Sequence, residues 1–203
     1  MTYLGTHAAR VGELLGQHVV LVLVSLAIAL AIALPLGVAA ARSERFGGAI
    51  LALAGVLYTV PSLALLALLV AVLGLGQPTA VVALVIYAQM ILLRGVVAGL
   101  RGVDAALVDA ARGLGFTARQ TLLRVEFPAA LPVVLGGVRV ATVSLVALAT
   151  VAAWINAGGL GVLLFEGIST DNPEKIFAGA LAAAALAIAA DLLLRGAERA
   201  VRT

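Results

Sequence analysis

The chain has 203 residues, 64% of them hydrophobic and 11% charged, with a formal net charge of +3 and a mean hydropathy of +1.20. A soluble globular domain carries about 25% charged residues, so composition excludes one and reads as an integral membrane protein. The basic excess is then a topology signal rather than a nucleic-acid footprint. No cysteine is present, which excludes disulfides, thiol catalysis and cysteine-based metal sites. The two histidines, His7 and His18, have no ligand partners in sequence and read as interfacial polar residues.

A membrane crossing needs about 20 apolar residues. The first such run is 19–41, longer than the roughly 7–15-residue core of a cleaved signal, so it reads as a retained span. Pro35 and Gly37 near its end are placed for a kink. The preceding residues 1–18 are mildly amphipathic, which leaves open whether they lie along the membrane interface. Arg42, Ser43, Glu44 and Arg45 form a charged turn. The second span, 48–73, is interrupted at Tyr58-Thr59-Val60-Pro61-Ser62, and residues 74–78 read as a turn. The third span is 79–94, the fourth 129–153 and the fifth 176–194, with a charged tail beyond. Between the last two lies a long loop, Trp154 to Lys175. The expectation is an all-α, polytopic single transmembrane domain over residues 1–203, with about five spans.

The longest interval without a span is 104–128. Placing it inside puts the 42–45 turn and the C-terminal tail inside as well. The N-terminus, the 74–78 turn and the 154–175 loop then fall outside. Of thirteen basic residues, all but Arg10 and Lys175 lie at or near the inner side in this arrangement. The opposite orientation inverts that bias, so the distribution of positive charge selects this one.

Within 104–128, Asp104 is an N-cap for a short helix over Ala105 to Arg112. Gly113 or Gly115 can end it in a left-handed conformation. Thr117 with Gln120 three residues on fits a capping box for a second helix. That helix is expected to stop at Pro128, with Leu114, Ala118, Leu122 and Val125 sharing one face.

Asp109-Ala110-Ala111, Gly115 after three more, then Val125-Glu126-Phe127-Pro128 after nine form a spaced pattern that resembles the EAA loop of ABC-importer permeases. Asp109 stands where the pattern has Glu, and Phe127 where it has Leu. Val60 to Leu66, VPSLALL, and Ala157 to Gly161, AGGLG, resemble segments of the compatible-solute permeases that carry glycine betaine, carnitine or choline. Where that group has a polar Asn-Thr-Tyr-type segment after the third span, this chain has Leu93-Arg94-Gly95-Val96-Val97. The likeness covers roughly 18–194.

The resemblance implies the type I ABC importer permease fold in a bacterial-type inner membrane. It implies a cytoplasmic ATPase dimer docked on 104–128, an extracytoplasmic solute-binding protein, and a second permease, either a copy or a paralogue. Asp109, Ala110, Ala111, Gly115, Val125 and Pro128 are then the ATPase-coupling residues, with Ala110, Ala111 and Gly115 allowing close approach. No cofactor is expected in this chain. Its one lysine, Lys175, is followed by Ile176 and cannot complete GxxxxGK[ST], so ATP and Mg belong to the partner ATPase.

For the solute passage the interrupted second span is the best placed. Pro61 frees a carbonyl one turn earlier and Ser62 adds a hydroxyl, arrangements a membrane tolerates where they face protein or water. Tyr58, Pro61, Ser62, Tyr87 and Asn156 are the candidates for lining the passage, with the tyrosines reading also as interfacial or packing aromatics and Pro61 as a simple kink, and Gly158 and Gly159 are the candidates for an outer gate. Asp191 is expected to pair with Arg195, four residues on. Importers of other small solutes such as amino acids, or a membrane scaffold without transport, are the alternatives. An intramembrane enzyme lacks a cluster of His, Asp and Glu, or a Ser with a matching base, within the spans.

Overall fold

The structure, a computed structural model, describes residues 2–202, and all regular elements among them are helical. A short α1 (Thr2–Thr6) precedes α2 (Ala8–Arg42), a single helix of 35 residues. Residues 8–18 are therefore the first turns of the long helix rather than a separate surface segment; Met1 lies outside the described residues. α2 runs through Pro35 uninterrupted, with Pro35 on its exposed side.

The charged turn after α2 is tight. Ser43 caps α3 (Glu44–Thr59) by accepting from the Phe46 N–H at 3.3 Å. α4 (Ser62–Leu73) follows after a bend of 96°. The interruption anticipated at 58–62 is thus a full break in direction. α5 (Gln77–Arg101) begins within the expected 74–78 turn, with Pro78 in its first turn, and continues seven residues past the expected end at Arg94. Its apolar pattern survives the arginine because Val96, Val97 and Gly99 stay buried.

α6 (Ala105–Gly113) and α7 (Ala118–Thr121) build the polar interval. A π-helical turn, Leu122–Glu126, then leads directly into α8 (Phe127–Ala152). Here Pro128 does not stop the helix, contrary to expectation. A wide turn removes the usual clash between a proline ring and the carbonyl four residues back, and the Phe127 N–H reaches back to the Leu122 carbonyl. Residues 118–155 form one apolar helical run.

The 154–175 segment is more ordered than a loop. A 3₁₀ turn, Ala153–Ile155, precedes α9 (Gly161–Ser169). Finally α10 (Pro173–Arg202) carries the charged tail as continuous helix. Among the described residues, four helices or runs are long and apolar enough to cross a membrane, or five with the bent α3–α4 pair taken as one span.

α5 is the central helix, packed between α2 and α8, and small residues let it be. On α2, Ser25, Ala29, Ala33, Gly37 and Ala40 are all buried. A Cβ at Gly37 would lie 2.6 Å from a Val96 methyl. Between α5 and α8 a Cβ at Gly95 would lie 3.2 Å from the Gly137 Cα, so the two backbones nearly touch. Small residues at four-residue spacing are the usual means of close helix approach in lipid, where no hydrophobic effect drives association.

Candidate functional site

The 104–128 element is fixed locally first. The Asp104 carboxylate accepts from the Ala106 N–H at 2.9 Å, which starts α6. Gly115 (φ +81°) ends it. The Phe116 N–H reaches the Ala111 carbonyl at 3.1 Å and the Gly115 N–H reaches that of Arg112 at 2.9 Å, the paired bonds of a Schellman cap. The capping box forms as expected. Thr117 Oγ1 accepts from the Gln120 N–H at 3.3 Å, and the Gln120 side chain accepts from the Thr117 N–H at 2.8 Å.

Tertiary contacts then fix the element to the helices. Glu126 is buried, and Arg42 at the end of α2 grips it with both guanidinium nitrogens; the Nη1–Oε1 bond is 3.0 Å. A bidentate guanidinium–carboxylate pair holds orientation as well as distance. It ties the end of the first long helix to the π turn. No local pattern in the sequence announces it, because its partners are 84 residues apart.

The faces of α6 differ sharply. Leu107, Ala110 and Leu114 are exposed, at three- and four-residue spacing, Leu114 at 78%. Ala111 is buried at 4%. The close approach Ala111 allows is therefore to this chain's own interior. Leu114, expected to share a face with Ala118, Leu122 and Val125, instead points out, because Gly115 turns the chain between them; Leu122 and Val125 are half-buried. Asp109 is exposed and, among the described residues, pairs only with Arg112, at 3.5 Å. A surface pair of this kind contributes little, so both groups are free to meet another surface. Pro128 is exposed in the first turn of α8.

The broken span makes the second feature. An open cleft of about 660 Å³ is lined by Gly55, Val56, Tyr58 and Thr59 of α3 and by Met90, Ile91 and Arg94 of α5. Tyr58 stands edge-on to Tyr87, with ring centroids 6.0 Å apart. The Tyr87 hydroxyl donates to the Val60 carbonyl at the break. The Leu57 carbonyl, released by the missing N–H of Pro61, is taken up by the Val60 N–H at 3.3 Å. It is not left open to a solute.

Of the five residues expected to line a passage, only Tyr58 lines this cleft. Ser62 and Tyr87 line a narrow interior void against Leu148 and Ala152, and Pro61 is exposed at the bend. Asn156, in the left-handed region (φ 63°), lines a separate polar cleft of about 390 Å³ with Arg10, Gln17, Gly158 and Glu166.

The glycine run 158–161 is held by α2. Gln17 Oε1 accepts from the Gly159 N–H at 3.1 Å, and His18 Nδ1 accepts from the Leu160 N–H at 3.2 Å. His18 Nε2 lies 3.1 Å from the Val146 carbonyl. With Nδ1 accepting, Nε2 must carry the proton and donate to that carbonyl. His18 is fully buried, a clamp among α2, α8 and the glycine run rather than an interfacial residue. Gly158 and Gly159 have φ near +80°, and a Cβ on either would strike Gln17 Oε1 (2.5 Å) or His18 Nδ1 (2.9 Å). Among the described residues no three His, Cys, Asp or Glu gather as a metal site.

One further expectation is corrected. Asp191 pairs not with Arg195 but with Arg139 of α8, at 2.8 Å, and Arg139 also meets Glu198 at 3.2 Å. Packing of α10 on α8 brings an interior arginine within reach, and that outweighs a neighbour on the exposed face of the same helix.

Comparison with known proteins places this architecture. Residues 33–203 match the family described as binding-protein-dependent transport system inner membrane component. The glycine betaine/carnitine/choline transport system permease protein OpuCB of Bacillus subtilis (strain 168) is 36% identical over 201 residues, covering 99% of this chain and 93% of that one. The choline transport system permease protein OpuBB of the same organism is 38% identical over 93% of this chain and 88% of its own. The osmoprotectant import permease protein OsmW of Salmonella typhimurium is 38% identical over 95% and 92%. Among solved structures, the inward-facing MetNI methionine ABC transporter has the same fold, with a TM-score of 0.85 at 21% identity over 94% of this chain and 95% of that one. The protein therefore belongs to the inner-membrane components of binding-protein-dependent transport systems, the multi-pass permease subunits of ABC importers.

Proposed function

We propose that the chain forms the passage of an ATP-driven importer for osmoprotectant-like solutes of the glycine betaine, carnitine, choline and proline class. The observation that carries the reading is likeness at 36–38% identity, over nearly the whole chain, to permeases whose names specify such solutes. The methionine transporter shares the fold at 21% identity, too distant to argue for its solute.

In this reading the 104–128 element, the 42–45 turn and the C-terminus face the cytoplasm. The N-terminus and the 154–175 segment face outward, toward an extracytoplasmic binding protein. The exposed stripe Leu107, Ala110 and Leu114 seats in a cleft of the ATPase, with Asp109 and Arg112 at its rim. ATP and Mg are held by that ATPase. Closure of the ATPase dimer moves α6, and the Arg42–Glu126 pair carries the movement to α2 and α8 together. Movement as a unit is what a rocking, alternating-access mechanism needs. A second permease, identical or paralogous, completes the passage, with Tyr58, Pro61, Ser62, Tyr87 and Asn156 along its course and Gly158 and Gly159 in an outer gate.

The test is reconstitution of the permease with its ATPase and binding protein in proteoliposomes, followed by ATP-dependent uptake of labelled glycine betaine, carnitine, choline, proline and methionine. Uptake of at least one of the first four is expected. Uptake of methionine alone, or of none, overturns the proposal.

A further inference from the structure

Arg94 is the arginine of α5 for which packing supplies no partner among the described residues. It lies at the eighteenth position of α5, about 26 Å along the helix from Gln77. Seven residues further on, Arg101 does the work expected of an arginine at a helix end, donating to the Ala40 carbonyl at 3.1 Å. Arg94 sits about 10 Å deeper along the axis than that marker. Among the described residues its guanidinium has no ion pair and no hydrogen bond. Its successors Gly95, Val96 and Val97 supply no polar side chain. An unpaired cation within an apolar spanning helix is costly, and where retained it marks a solute or ion path.

Its surroundings say what it would take. The cleft it lines has one cation, no carboxylate, an exposed tyrosine ring and the Thr59 hydroxyl, with Met90 and Ile91 as apolar wall. A guanidinium is shaped to receive a carboxylate through two parallel hydrogen bonds. A tyrosine face attracts a quaternary ammonium. A molecule with both groups matches the cleft. A quaternary ammonium without the carboxylate meets an uncompensated like charge.

We propose that Arg94 is a specificity-determining residue that binds the carboxylate of a zwitterionic quaternary ammonium in the α3–α5 cleft and disfavours a cation lacking that group. The proposal rests on the passage-forming role proposed above. It sets glycine betaine and carnitine against choline as solutes of this permease.

The assay is uptake of labelled glycine betaine, carnitine and choline by the reconstituted transporter, with the binding protein saturated by each solute. Arg94→Gln should lower zwitterion uptake roughly tenfold or more, the scale of a lost charge-assisted contact, and leave choline uptake unchanged or raised. Arg94→Lys, which keeps the charge, should retain the zwitterion preference. Thr59→Asp leaves Arg94 in place but supplies it with an internal carboxylate, and should reproduce the selective loss; it serves also if the Gln variant fails to assemble. Equal loss of all three solutes, or no change, in Arg94→Gln and Thr59→Asp refutes the proposal. A wild-type transporter that carries choline but neither zwitterion refutes it while leaving the importer assignment standing. Uptake of none of the three by the wild type refutes it, and if proline is not carried either, the importer assignment falls with it.

Discussion

The Arg42–Glu126 pair makes an unequal prediction for its two partners. Glu126 has 7% of its side chain exposed, whereas Arg42 has 45%. At the 3.0 Å of the Nη1–Oε1 bond, two unit charges attract by about 5.5 kcal/mol at an effective dielectric constant of 20. Desolvation of the carboxylate offsets much of this, so the net contribution is about 2 kcal/mol. Removing Arg42 strands a buried carboxylate, and Arg42→Ala should cost about 3 kcal/mol. Glu126→Gln leaves a guanidinium that is half in solvent and still has a neutral acceptor, and should cost only about 1 kcal/mol. For a chain of this size each kcal/mol shifts the melting temperature by about 2–4 °C. Thermal melts in detergent should show Arg42→Ala falling by roughly 6–12 °C and Glu126→Gln by roughly 2–4 °C, with the double variant well short of the sum. Equal shifts, or a larger one for Glu126→Gln, would refute the premise that the buried partner sets the cost.

Three further outcomes follow from the same geometry. Leu107→Asp combined with Leu114→Asp should leave membrane insertion and melting unchanged, because both side chains are exposed, yet abolish co-purification of the ATPase; retained co-purification removes the docking face. Ala111→Arg is the poorer probe, since its buried side chain would disturb the element itself. His18→Leu should lower stability by about 2–4 kcal/mol, because the Leu160 N–H and the Val146 carbonyl both lose their side-chain partner, and limited proteolysis should open the chain at 156–161 first. Since the chain has no cysteine, single substitutions Arg119→Cys and Ile168→Cys report orientation: a membrane-impermeant thiol reagent on intact cells should label residue 168 and spare residue 119, and the reverse pattern inverts the topology.

What the chain determines by itself is local and apolar. Runs of 20 or so apolar residues must enter the membrane as helix, because lipid offers backbone groups no other partner. Asp104, Gly115, Thr117 and Gln120 act within four residues of themselves, and their caps and turn form as their positions foretell. Even so, Pro128 misled. Its effect depended on a π turn that local preference does not announce.

The tertiary structure decided whatever joins distant segments. Arg42 reads as one charge in a turn until α2 and α8 bring it to Glu126. His18 reads as an interfacial polar residue until the glycine run, 142 positions away, donates to it. Asp191 has Arg195 four residues on, yet α8 presents Arg139. Only the fold separates Asn156 from Tyr58 and leaves Arg94 alone in its cleft. The reason is common to all of these. Hydrophobicity and capping act between neighbours in the chain and are written there, whereas a buried charge or hydrogen-bonding group takes whatever partner packing brings within 3 Å or so.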